Sequence, residues 1–177
     1  MTKRVKYNLT GLLAAALLIV LDQWTKHLAV LHLKDQIPFV LLEGVFELNY
    51  LENRGAAFGM FQGQRTVFLV CTLVILAVVA FYYNRLPEGR RFLPLRLVGT
   101  LLTAGAIGNM IDRTLNSFVV DFLYFKLIDF PVFNVADCYV TVGAALLAVL
   151  ILFYYKEEEL GFIKAPKEEK DGSEEKV

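Results

Sequence analysis

LTGLLAAALLIVLDQWTKHL, Leu9–Leu28, carries no charge before Asp22. A helix of about 20 mostly apolar residues crosses the hydrocarbon core of a bilayer, so this stretch reads as a membrane span. Lys3, Arg4 and Lys6 precede it, as they would precede a signal peptide. The run passes without a cleavage signature into DQWTKH, and a retained helix is the better reading. Three further windows have the same character: Val67–Tyr83, Leu95–Arg113 and Tyr139–Tyr155. The chain as a whole is 56% hydrophobic, above the ~45–50% of a soluble domain, and its mean hydropathy is +0.52. Its 177 residues suit one compact unit.

The basic residues orient the four spans. Lys3, Arg4 and Lys6 lie before the first, and Arg85, Arg90, Arg91 and Arg96 crowd the link between the second and third. Lys156, Lys164, Lys167, Lys170 and Lys176 follow the fourth. These segments alternate so as to share one side, and the positive-inside rule makes that side the cytoplasm. Residues 1–164 read as one integral membrane unit, and 165–177 as a disordered, charged cytoplasmic tail. A formal net charge of zero argues against nucleic acid held by bulk electrostatics. Cys71 and Cys138 are too few for a disulfide framework and read as free thiols. Neither an internal repeat nor a Cys/His cluster with metal-ligand spacing is present, and no metal or other cofactor is called for.

Two outer stretches remain, His32–Thr66 and Thr114–Cys138, each too apolar for a plain loop. FVLLEGVFELNYLEN breaks at Glu43-Gly44 into a hairpin pattern, and SFVVDFLYF alternates like a strand. The predicted fold is therefore an all-α membrane protein with four transmembrane helices. A small extracytoplasmic β-sheet covers the bundle, and both termini are cytoplasmic.

The polar residues gather near the outer ends of the spans. Asp22 and Lys26 are four apart with the acid first, the favourable order for a helical ion pair. Their reading stands open between tying a helix end and chemistry. Asn53, Arg54 and Gly55 begin a glycine-rich segment, a bland turn or a loop around a ligand. Thr100, Ala104 and Gly108 recur every fourth residue as a face for close helix packing, which Asp112 extends as polar glue. Gly105, Asn109 and Arg113 make the neighbouring stripe. Asn134 and Asp137 have the spacing of a capping box at the start of the fourth helix. Asp121 lies on an apolar strand with no local partner, so desolvation should raise its pKa. Two carboxylates that share a cleft share a proton. One then activates water while the other protonates a carbonyl, which is the chemistry of an aspartic peptidase.

Five motifs occur in order: DQWTK (Asp22–Lys26), NRGAAFG (Asn53–Gly59), GNMIDR (Gly108–Arg113), VVDF (Val119–Phe122) and FNVAD (Phe133–Asp137). Together they resemble bacterial lipoprotein signal peptidase, or signal peptidase II, from the first span to the fourth. The resemblance implies an aspartic endopeptidase of the bacterial plasma membrane, with its active site at the outer face. Such an enzyme cuts prolipoproteins just before a diacylglyceryl-modified cysteine. The family's catalytic aspartates match Asp121 and Asp137. Its supporting residues match Asp22, Lys26, Asn53, Gly55, Asn109, Arg113, Asn134 and Ala136. The implied partners are the lipidated precursor, membrane lipid and a cyclic peptide inhibitor of the globomycin type. One chain suffices to build the site, so a monomer is expected. The rival readings are a small proton-coupled transporter, whose acids belong nearer the membrane midplane, and a non-enzymatic membrane assembly factor.

Overall fold

The computed structural model describes residues 2–55 and 64–163, with the side chains of 162 and 163 left aside. Four long helices carry the chain: α1 (Lys3–Leu33), α2 (Arg65–Arg85), α3 (Leu93–Leu115) and α4 (Val135–Val149). All four apolar windows fall on helices long enough to cross a membrane, the fourth ending one residue early, at Tyr154. α4 continues as a π-helical turn over Leu150–Tyr154, and a 3-10 turn, Arg90–Phe92, leads into α3. The helices outrun the apolar windows, so that His32 belongs to α1 and Thr114 to α3. Backbone hydrogen bonding continues past the hydrocarbon boundary until a cap stops it. At the start of α4 that cap is the predicted one. Asn134 Oδ1 accepts the Asp137 N–H at 3.0 Å, and Asp137 Oδ2 accepts the Asn134 N–H at 3.1 Å.

The connections that follow α1 and α3 contribute one antiparallel sheet in the order β1 (Phe39–Leu42), β2 (Phe46–Asn53), β3 (Val119–Phe125). β1 and β2 turn at the predicted break, where Gly44 has φ +70°, a conformation that L side chains rarely adopt. β2 lies along β3 with Phe46 opposite Phe125 and Asn53 opposite Val119, and a bulge falls between Leu48 and Leu51. β3 is less one-sided than its alternation suggests, because Val119, Val120, Asp121 and Phe122 are all buried. Val120 and Phe122 pack with Ala29 of α1, Leu48 and Val135, while the other face closes over Asp121. β1 is exposed throughout.

Helix packing follows the small-residue stripes. Thr100, Ala104, Gly108 and Asp112 of α3 are all buried. A Cβ on Gly105 would lie 2.5 Å from the Ala136 carbonyl oxygen and 2.6 Å from Val140 Cγ2. One on Gly108 would lie 2.6 Å from Asp22 Oδ2. Because the obstacle at Gly105 is backbone, Gly105→Ala must separate α3 from α4. The expected loss is about 1–3 kcal/mol of stability, read as a lower melting temperature in detergent. The position of Asp137 should shift with it, since the start of α4 carries that residue.

At the end away from the sheet, Arg4 reaches the Asn84 carbonyl of α2. Arg91 pairs with Glu159 at 2.9 Å. The basic residues before α1 and around the α2–α3 link therefore collect at one end. Cys71 and Cys138 are both free. The tail predicted from Ala165 and the Ala56–Gly59 part of the glycine-rich motif lie outside the described residues.

Candidate active site

Asp121 and Asp137 come together at the sheet end of the bundle, brought there by three structural devices. The first is an isolated bridge between Leu123 and Phe133 that folds the chain after β3 back along the strand. It sets Asn134 beside Asp121, and Asn134 Nδ2 donates to Asp121 Oδ1 at 2.6 Å. The second is the β2–β3 register. Asn53 faces Val119, so its side chain reaches the diagonal residue on the same face, and its Nδ2 donates to Asp121 Oδ2 at 2.8 Å. The third is the capping box, which places Asp137 in the first turn of α4. Asn109 Nδ2 from α3 then donates to Asp137 Oδ1 at 2.7 Å.

Asn134 is the hub of this arrangement and is wholly buried. Its amide nitrogen serves Asp121 and also Asn109 Oδ1, at 3.2 Å, while its oxygen takes the Asp137 N–H. One asparagine thus holds both carboxylates. Asn53 is fixed from both ends as well, since its Oδ1 accepts the Gly55 N–H at 3.0 Å. Arg113 Nη2 donates to the Gly55 carbonyl at 3.3 Å, and its guanidinium lies 4.7 Å from the centre of the Phe68 ring. Asp121 therefore has its partners from β2 and from the α4 cap, with none along its own strand. Burial pushes its carboxyl up to about 7, the Asp137 charge adds to the rise, and the Asn53 and Asn134 amides oppose it.

Beneath the pair lies an ion cluster. Lys26 Nζ contacts Asp22 Oδ2 at 2.9 Å, Asp112 Oδ2 at 3.0 Å and Asn109 Oδ1 at 2.9 Å. Those contacts occupy all three ammonium protons. Asp22 Oδ1 accepts the Ala136 N–H at 2.9 Å. Ala136 is itself wholly buried, its Cβ against the space that Gly108 leaves open. The sequence reading left two participants out of the site. Asp112 was taken as helix glue, which it is, but it also binds the Val120 N–H at 3.2 Å. Gln23 has no periodicity signal of its own. Its Nε2 lies within hydrogen-bonding distance of Asp22, Asp112 and the Gly108 carbonyl.

Fold and site together define a multi-pass membrane protein that keeps two carboxylates, each hydrogen-bonded to Asn134, at the sheet end of its bundle. The family described as Signal peptidase (SPase) II matches residues 14–153. Among curated proteins, the lipoprotein signal peptidase of Streptococcus thermophilus (strain CNRZ 1066) is 43% identical over 141 residues, covering 80% of this chain and 89% of that protein. The lipoprotein signal peptidase of Caldanaerobacter subterraneus is 41% identical over 144 residues, covering 81% and 96%. A solved structure described as a bacterial membrane enzyme, determined in meso at 2.3 Å, superposes with a TM-score of 0.74. It has 32% identity and covers 84% of this chain and 92% of that one. The chain belongs to the signal peptidase II family, and it is accordingly a membrane protease.

Proposed function

We propose that the protein is an aspartic endopeptidase that removes signal peptides from prolipoproteins, cutting just before the diacylglyceryl-modified cysteine with Asp121 and Asp137 as its catalytic pair. The observation that carries this reading is the single asparagine, Asn134, holding both carboxylates. The mechanism gives the two acids different starting states. Asp121 is 1% exposed and holds its proton to about pH 7. Asp137 is more accessible, sits at a helix N-terminus and accepts from Asn109 and the Asn134 N–H, features that suit the ionised partner. Asp137 takes a proton from water, the resulting hydroxide adds to the scissile carbonyl, and Asp121 gives its proton to the carbonyl oxygen. Collapse of the tetrahedral intermediate breaks the C–N bond as one of its two hydroxyls returns a proton to Asp121 and becomes the carbonyl of the new carboxyl group. The proton on Asp137 passes to the leaving amine, which becomes the amino terminus of the lipidated cysteine.

The basic end opposite the sheet supports cytoplasmic termini and a site at the outer face of the bacterial plasma membrane. There the signal peptide's apolar helix lies among the spans and the diacylglyceryl chains rest in the bilayer. The supporting residues Asp22, Lys26, Asn53, Gly55, Asn109, Arg113, Asn134 and Ala136 act by fixing the pair. A single chain supplies every group in this scheme, in keeping with a monomer. A cyclic peptide of the globomycin type acts by occupying the pair. Residues 1–164 form the membrane peptidase unit, and 165–177 are a charged cytoplasmic tail.

The test is cleavage of a diacylglyceryl-modified precursor by the purified protein in detergent, with and without the cyclic peptide. A single cut before the lipidated cysteine, suppressed by the inhibitor, is expected; intact precursor after prolonged incubation ends the reading. The pH dependence follows from Asp121. Its proton is present below about pH 7 and lost above it, so kcat/KM should fall on the alkaline side by about tenfold per unit. A rate still rising well above pH 8 would remove Asp121 as the acid. Stability moves in the same sense. Between 3.8, the ordinary value, and about 7 the folded chain retains a proton that the unfolded chain has released, so rising pH destabilises it across that window.

A further inference from the structure

The two aspartates of the pair share a feature of their backbones. The residue before Asp137 is Ala136, whose N–H is bound by Asp22 Oδ1 at 2.9 Å. The residue before Asp121 is Val120, whose N–H is bound by Asp112 Oδ2 at 3.2 Å. Each member of the pair is thus preceded in the chain by a backbone amide moored to a separate carboxylate, one on α1 and one on α3. Asp22 is 0% and Asp112 3% exposed, so water does not compete for these bonds.

The two mooring carboxylates are themselves joined twice. Lys26 Nζ bridges Asp22 Oδ2 and Asp112 Oδ2. Gln23 Nε2 bridges Asp22 Oδ2 and Asp112 Oδ1, both at 3.1 Å, and shares its two N–H groups with the Gly108 carbonyl of α3 at 3.2 Å. The lysine has a long flexible stem and divides its three protons among three acceptors. An amide is planar, so its two N–H bonds diverge in a fixed plane, and a second link through Asp112 Oδ1 stops that carboxylate rotating about its contact with Lys26.

We propose that Gln23 is a positioning residue for peptide cleavage: by cross-linking Asp22 to Asp112 it fixes the spacing of the Val120 and Ala136 amides, and through them the separation of Asp121 from Asp137. The inference rests on the assignment of these two aspartates as the catalytic pair. A change in their separation has a measurable signature. Each charge acts on the other's ionisation, so a looser pair titrates with apparent pKa values closer together. The charged groups that act on Asp121 are Lys26 from α1, Arg113 from α3 and Asp137 from α4. From β2 it meets the neutral Asn53. None of these is altered when Gln23 is replaced by an uncharged side chain.

The variant is Gln23→Met, similar in length and without donors, assayed as the full chain on a diacylglyceryl-modified precursor from pH 5 to 9. Expected are a 10- to 100-fold fall in kcat, KM within threefold of the parent, and an alkaline limb displaced toward lower pH by at least half a unit. A role confined to stability would lower the melting temperature while leaving the shape of the pH profile unchanged, and that result overturns the proposal. A second variant guards against poor folding. In an Asp112→Asn background the cross-link is already weakened, so adding Gln23→Met should cost less than threefold in kcat, and a full further loss would show that Gln23 acts elsewhere. Asp121→Asn is run alongside. If it retains activity the catalytic assignment fails; if it is inactive while Gln23→Met matches the parent, only the cross-link fails.

Discussion

Asp137→Asn is expected to yield a folded protein whose cleavage of a lipidated precursor is about 10⁴-fold slower than the parent or undetectable. The new amide keeps the size of the carboxylate, and its oxygen can still accept the Asn134 N–H, so the helix cap survives while Asn109 Nδ2 loses its acceptor; the reciprocal bond from the residue-137 N–H to Asn134 Oδ1 is unaffected. What disappears is the only group in the pair suited to take a proton from water. Asp121→Asn should be as damaging to catalysis, and it carries the same kind of lost bond at a more deeply buried site. Asp121 accepts from two amides, Asn53 at 2.8 Å and Asn134 at 2.6 Å. A side-chain amide has one oxygen to offer them, so one buried donor loses its acceptor at a cost of about 1–3 kcal/mol. Relief from burying an acid offsets part of that. Groups that act as a unit are not additive, so the double variant should be no slower than either single one. Initial rates on the lipidated precursor, paired with melting curves, separate chemistry from folding. Turnover within tenfold of the parent in either single variant would eliminate the two-carboxylate mechanism.

Much of this arrangement is legible in the sequence because it is local. The four spans are long uninterrupted apolar runs, and only a helix satisfies its own backbone inside lipid. The capping box is a three-residue spacing and was found where Asn134 and Asp137 predicted it. The stripe from Thr100 to Asp112 is a helical repeat and proved to be the buried face of α3. Asp121 stood out because an acid with no local partner on an apolar strand demands one from elsewhere.

What escaped the sequence is long-range. Nothing near Asp121 foretells that its two donors come from Asn53 and Asn134, 68 and 13 residues away. The bulge between Leu48 and Leu51 sets which β2 residue faces Asp121's side of the sheet, and a bulge leaves no composition signal here. Gln23 looked like an ordinary polar neighbour of Asp22. Its importance depends on α3 passing close by, which the missing side chain of Gly108 permits. Asp112 could have been found earlier by a charge argument. A lone lysine, Lys26, facing one aspartate is a pair, but facing two it leaves a negative excess that must be met by further donors.

That excess makes Lys26→Met the most damaging single change to the fold. Lys26 is 3% exposed, and its ammonium is the cation shared by Asp22 and Asp112, both buried. Its removal leaves two carboxylates with Gln23, Ala136 and Val120 N–H groups but no compensating charge. Breaking a buried pair by deleting one partner costs about 3–5 kcal/mol, or about 10 °C in melting temperature for a chain of this size. Lys26→Arg is no remedy, because a planar guanidinium cannot reproduce the three-way contact of a compact ammonium. The instructive comparison adds Asp22→Asn and Asp112→Asn to Lys26→Met. With the whole charged set gone, no uncompensated ion remains, and the melting temperature should recover by at least half of the loss. Activity should not recover, because Asn109 Oδ1 has lost its shorter bond, from Lys26, and keeps only the longer one from Asn134 Nδ2, which loosens its hold on Asp137. If the triple variant were instead as unstable as Lys26→Met, the instability would come from lost packing of the lysine stem, and the ion cluster would have no part in holding the bundle.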